Sequence, residues 1–209
     1  MSTPLPRIDD PADVPDGKRR LIEAAMRLAV QGTGFSALGI RELAREAGLN
    51  HNTFYRHFDT LEELTQAVAR KLSRHLMDGL REVRANAARH GDATQGAVDY
   101  FLDFVARDPG PIIVGLRELH GGSPGIRRSM RQIVEEIATE SVEQIVSMEL
   151  APGLSAAALL HVTRPITYYM FYRALDFIDT PQRRAEIAAD MVRFIRQQFL
   201  GALSLEGAR

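Results

Sequence analysis

No cysteine occurs among the 209 residues. The chain therefore has no thiol nucleophile, no cysteine-containing zinc site and no redox switch, and nothing in it points to an oxidising compartment. Long apolar runs are missing as well. No stretch approaches the roughly 18 to 20 residues needed to cross a bilayer, so a soluble, cytoplasmic chain without a membrane role is expected. Charge of one sign is scarce: 26 Lys and Arg stand against 27 Asp and Glu, a net charge of −1, which argues against a general polyanion binder. The six histidines show no i, i+4 pairing on a helix, so neither a metal site nor a cofactor is expected. Finally, no segment shows the alternating β-branched pattern, bounded by turns, that strands require. The opening MSTPLPRIDDPADVPDG is rich in proline and acid where a signal peptide needs an apolar core, and residues 1–16 read as a disordered tail.

What is present is helical periodicity almost throughout. Asp16 can cap a first helix running to about Gln31, with Leu21, Ile22, Ala25, Leu28 and Ala29 as its apolar stripe and Gly32 and Gly34 at its end. Thr60-Leu61-Glu62-Glu63 has the form of a capping box, and a long helix follows with Leu61, Leu64, Val68, Leu72 and Leu76 on one face as far as about Ala88. Further stripes come from Val98, Phe101, Leu102 and Val105, then from Ile112, Leu116 and Leu119, then from Met130, Ile133, Val134, Ile137 and Ile145. Residues 155–178 are apolar on more than one side and contain Pro165, which should kink the helix. Thr180-Pro181 offers a cap and a first-turn proline for a last helix, 182–203. The fold class expected is all-α with about nine helices: a three-helix module at 17–62, a larger helical domain at 63–203 and a short tail at 204–209.

Within the first module, Ile40 to Phe58 has the spacing of a helix-turn-helix. Ile40, Leu43, Ala44 and Ala47 form one face of a short helix, Gly48 permits the reversal, and Asn50 can cap the next helix with its side-chain oxygen. Such a second helix lies in the major groove, with its N-terminal residues at base edges. Here those residues are His51, Asn52 and Thr53; Asn pairs with adenine, His with purine edges, and the Thr methyl with that of thymine. Phe54 and Phe58 read as the buried side, Tyr55 and His57 as phosphate contacts, and Arg41 as a group able to reach guanine or the backbone. Seven basic residues against three acidic ones between Gly17 and Phe58 suit a phosphate-facing module.

At these residues the chain resembles the tetracycline-repressor-like (TetR) transcription regulators, most strongly over Lys18 to Leu64. The likeness rests on Gly34-Phe35, Ile40, Leu43-Ala44, Ala47-Gly48-Leu49, Thr53-Phe54-Tyr55, His57-Phe58 and Glu63-Leu64. It implies that Arg41, His51, Asn52, Thr53 and Tyr55 touch bases or nearby backbone and that Tyr55 and His57 hold phosphates. Gly39, Asn52 and Leu61 depart from the family pattern, which removes two expected phosphate contacts and leaves Asn52 to carry an operator preference of its own. The resemblance further implies a ligand-responsive homodimeric repressor on a pseudo-palindromic operator in double-stranded DNA, paired through helices 155–178 and 182–203. A more particular likeness, to repressors of unsaturated fatty-acid synthesis, rests on Phe54 to Phe58, Tyr100 to Phe104 before Asp108-Pro109, and Leu116-Arg117-Glu118. It implies a fatty acyl thioester (acyl-CoA) or another apolar small molecule as effector, lined by Phe101, Val105, Leu116 and Met130 with Arg117 at a polar mouth.

Two other readings compete. Gly121-Gly122-Ser123-Pro124-Gly125 matches the nucleophile elbow of hydrolases, but no strand precedes it, and Pro124 lacks the amide N–H that the oxyanion hole uses. No enzyme is expected, and His120 reads as a helix-end histidine facing exposed carbonyls. His161, Arg164, Tyr168 and Tyr169 suit a dimer interface better than a pocket. A helical scaffold or adaptor without DNA binding is the alternative function.

Overall fold

The computed structural model describes residues 15–207, and these form helices and turns only. Eight α-helices and a six-residue recognition helix are the nine main helices among the described residues, with shorter helical turns at Ala29–Thr33, Phe35–Ala37 and Pro181–Arg183. The helices are α1 (Asp16–Leu28), α2 (Ile40–Glu46), the recognition helix (His51–Arg56), α3 (Leu61–His90), α4 (Ala93–Arg107), α5 (Gly110–Leu119), α6 (Pro124–Ser147), α7 (Ala156–Asp179) and α8 (Arg184–Glu206). Most of the expected leading tail lies outside the described residues, as do the last two positions of the expected trailing tail. Residues 204–206 continue α8.

Local chemistry explains most boundaries. Thr60 Oγ1 accepts from the Glu63 amide at 3.1 Å, while Glu63 Oε2 reaches back to the amide of Asp59 at 2.8 Å, so the capping box forms with its return bond one residue early. Asp92 caps α4 through the amides of Thr94 and Gln95, and Ser155 caps α7 through that of Ala158. Three expected caps differ. Asp16 lies inside the first turn of α1 and binds Arg19 instead, because Pro15 already occupies the cap position. Thr180 donates its hydroxyl to the Asp176 carbonyl at 2.7 Å and so closes α7, and a short turn at Pro181–Arg183 delays α8 to Arg184. His120 does not face carbonyls; its ring meets the Tyr172 hydroxyl at 2.5 Å, tying α5 to α7.

α3, about 45 Å long at ~1.5 Å per residue, packs on α1 at one end and on α4 and α6 along its length. One continuous core runs from Leu21, Leu43 and Phe54 through Leu64 and Met77 to Leu102, Ile187 and Met191. Burying each such side chain contributes roughly 1.5 to 3 kcal/mol. The DNA-side module and the helical body therefore share one apolar interior. No helix among the described residues is long and apolar enough to cross a membrane.

Candidate DNA interface and ligand cavity

The helix-turn-helix is held at its bend by a left-handed Gly48 (φ 64°) and by Arg20 of α1, whose Nη2 donates to the Gly48 carbonyl at 3.0 Å. Arg27 pairs with Glu46 at 2.9 Å, joining α1 to α2. Asn50 caps as expected: its Oδ1 accepts from the amide of Asn52 at 3.0 Å. The recognition helix is a 3-10 helix, with three residues per turn, so side chains three apart stand above one another. Asn52 and Tyr55 share one exposed row, and Tyr55 is 57 % exposed with its ring edge-on to buried Phe54. His51 is exposed beside Arg41 and Arg45 in a shallow concavity that also includes Gly48 and Asn50. His57 is half-buried next to Gly17.

Thr53 corrects the expectation. It is only 9 % exposed, and its hydroxyl accepts from Arg56 at 3.1 Å, because the 3-10 winding turns it off the row of Asn52. It does not join the reading edge. Much of the local positive charge is likewise spent within the module, since Arg19, Arg20 and Arg27 have carboxylate partners. Among the described residues, Arg41 and Arg45 carry no such pair and face solvent. Arg45, one of the seven basic residues between Gly17 and Phe58, lies four residues after Arg41 on the same helical face.

A buried carboxylate joins this module to the body. Glu118, at the end of α5 and 2 % exposed, accepts from the Phe35 amide at 2.7 Å and from the Ser36 hydroxyl at 2.6 Å. The approach requires Gly34, whose φ is +63° and whose added Cβ would sit 2.5 Å from Glu118 Oε1. Arg117 donates to the Gly32 carbonyl at 3.0 Å. It therefore braces the same loop and lines neither cavity, contrary to the expectation, because its side chain leaves α5 toward Gly32 and Gly34.

Two cavities occupy the body. The first, about 90 Å³, lies between α3, α5 and α6 and is lined by Leu72, Leu116, Met130 and Ile133, with Met26 and Phe35 of the DNA-side module forming part of its wall. The second, about 520 Å³, lies between α3, α4, α6, α7 and α8, with Leu80, Ala97, Phe101, Met170 and Phe199 in its wall. Leu76, Ile137 and Phe171 line both and so form the partition between them. Of the expected lining residues, Leu116 and Met130 face the small chamber and Phe101 the large one, while Val105 is fully buried in the core and reaches neither. Arg164 pairs with Glu135 at 2.7 Å and Tyr169 stacks on Phe194 at 3.9 Å; like His161 and Tyr168, they line neither chamber.

The large chamber has a polar group that periodicity did not single out. Arg84 of α3 enters it, donating from Nη1 to Gln144 Oε1 at 2.6 Å. Burial draws its pKa below the ordinary range to about 10, and Glu140 opposes this only in part. Glu140 itself pairs with Arg81 at 3.3 Å.

An exposed edge on a braced helix-turn-helix is thus carried by an all-helical body, and the Ser123 hydroxyl, placed in the sequence like a nucleophile, serves as the cap of α6 by accepting from the Ile126 amide. Residues 21–68 match the model of the bacterial regulatory proteins of the tetR family. Over that stretch, which is the helix-turn-helix module and the start of α3, the chain is similar to the DNA-binding part of that family.

The whole chain is similar in fold to a tetR-family transcriptional regulator from Streptomyces coelicolor, with TM-score 0.63 and 20 % identity over 94 % of this chain and 84 % of that one. It is also similar to the multidrug binding protein EbrR complexed with malachite green, with TM-score 0.65 and 18 % identity over 86 % and 98 % of the two chains. A third similar structure is the transcriptional regulator FadR from Bacillus subtilis in complex with stearoyl-CoA, with TM-score 0.62 and 16 % identity over 85 % and 96 %.

Proposed function

We propose that this chain is a cytoplasmic homodimeric repressor that binds a pseudo-palindromic operator through residues 17–62 and releases it when an apolar small molecule enters the domain at 63–203. The observation that carries the reading is the position of α5. One side of it holds the DNA-side loop through Glu118 and Arg117, and the other lines the small chamber through Ile112 and Leu116. A ligand that fills the large chamber and displaces Phe171 would enter the small one and press on α5, Met26 and Phe35 together. A shift there moves the recognition helix, and a coupling of ~1 to 3 kcal/mol changes affinity by ~5- to 150-fold. The volume of the large chamber falls in the ~300 to 1,000 Å³ range of small-molecule sites. An elongated apolar effector, a fatty acyl thioester among them, is supported by the stearoyl-CoA bound to the similar Bacillus subtilis protein.

In the dimer, two recognition helices would meet successive major grooves ~34 to 36 Å apart. His51 and Asn52 would face the base edges, with Arg41, Arg45, Tyr55 and His57 toward phosphates. Selection from a random duplex pool tests this, and enrichment of a pseudo-palindrome is expected; a pool with no enriched sequence at moderate salt would sink the reading. On the enriched operator, Asn52→Ala should cost ~1 to 3 kcal/mol at one base pair of each half-site, whereas Tyr55→Phe should weaken all sequences alike.

A further inference from the structure

We infer that the large chamber is built for an amphipathic carboxylic acid, its carboxylate held by Arg84 and its hydrocarbon chain directed past Phe171 toward α5. The inference rests on the proposed effector role of that chamber and adds the chemistry of its ligand. The chamber wall is aliphatic and aromatic over most of its extent, with Leu76, Leu80, Phe101, Ile166, Met170 and Phe199 contributing to it. A guanidinium in such a wall loses hydration and gains nothing from its apolar neighbours. Arg84 makes no ion pair among the described residues: the neighbouring Glu140 carboxylate is taken by Arg81 and by the Gln144 amide, and Arg84 donates from Nη1 to Gln144. Gln144 is held in place for that bond, since its own amide donates to the Met77 carbonyl at 3.2 Å and to Glu140 at 3.3 Å. The planar fork of Arg84 thus has further donors for an anion, and Arg is the side chain whose geometry fits a carboxylate bidentately. The other arginine of this chamber, Arg196, is half exposed and already paired with Asp92, so it belongs to the rim. Thr163 and Thr167, the hydroxyl residues of the α7 wall, donate their hydroxyls to the carbonyls of Ala138 and Thr163 and so leave no donor there for an anion.

A neutral ligand of the same chain length fills the same apolar wall but leaves Arg84 unpaired. The test compares dodecanoic acid with dodecanol by calorimetric titration of the full-length wild type at neutral pH. The acid is expected to bind at least about tenfold more tightly, the usual advantage of a charge-assisted hydrogen bond. In Arg84→Met that advantage should shrink below about twofold while dodecanol affinity is retained. A wild-type protein that binds acid and alcohol equally overturns the assignment to Arg84 and leaves the apolar effector reading standing, and so does an acid preference that survives in Arg84→Met. If neither probe binds wild type, the effector reading of the chamber falls together with the inference. As an independent check of location, Ala97→Phe, which fills the large chamber, should abolish binding of both probes, and undiminished binding would place the ligand elsewhere and overturn the proposal.

Discussion

At the scale of single residues, the sharpest constraint lies at Gly34. Its backbone (φ 63°, ψ 173°) falls in a region that only glycine occupies without strain, and Glu118 fills the space where a side chain would start. Gly34→Ala should therefore lower unfolding stability by about 1 to 3 kcal/mol in denaturant titration. An unchanged midpoint would show that the loop can relax without disturbing Glu118. The contrast between Asn52 and Thr53 operates at the same scale. Both stood at the start of the reading helix in the sequence, yet a rotation of one residue in a 3-10 helix exposes one and buries the other.

At the scale of elements, helix ends were legible where a side chain caps its own neighbours. Asn50 and Thr60 each bind an amide two or three residues ahead, a contact of short range. Asp16, Thr180 and His120 defied the same logic because a nearby arginine, a carbonyl of the preceding helix and a tyrosine 52 residues away competed for them. Asp92 combines both kinds of contact. Burial pushes its pKa up, but the amides of Gln95 and Thr94 and the Arg196 guanidinium together hold it below the ordinary value. A carboxylate with a depressed folded pKa stabilises the fold above its unfolded value of 3.8, and that contribution is lost as pH falls through the folded value. Asp92→Ala should cost about 1 kcal/mol at neutral pH, and the difference from wild type should close in acid below that value. Urea unfolding at the two pH values measures it, and a gap that persists in acid would rule out the charge as its source.

At the scale of the whole molecule, α7 and α8 keep apolar side chains in solvent, Tyr172 and Leu205 among them, and Leu200 and Leu203 do so at the edge of the large chamber. Apolar side chains left in solvent on two neighbouring helices are candidates for an interaction surface, in keeping with the proposed pairing of two copies through these helices. Replacing Tyr172 and Leu205 together by Glu should make the protein sediment as a single 23.3 kDa chain and weaken operator binding by ~10²- to 10⁴-fold through loss of bivalency. A variant that remains a dimer in analytical ultracentrifugation would move the interface elsewhere.

The sequence by itself determined the helical class, the order of the elements, the buried faces and the helix-turn-helix, since periodicity, glycine turns and caps act within a few residues of one another. Tertiary structure alone decided which arginines are spent on internal carboxylates and which stay free, that Arg117 braces the DNA-side loop, and that Glu118, 83 residues from Phe35, holds the two halves together. It also placed Arg84 against an apolar chamber. On a helix read by itself, an arginine on the polar side is a solvated charge. Only the packing of α4, α6, α7 and α8 around α3 takes away part of its water and sets it in the wall of that chamber.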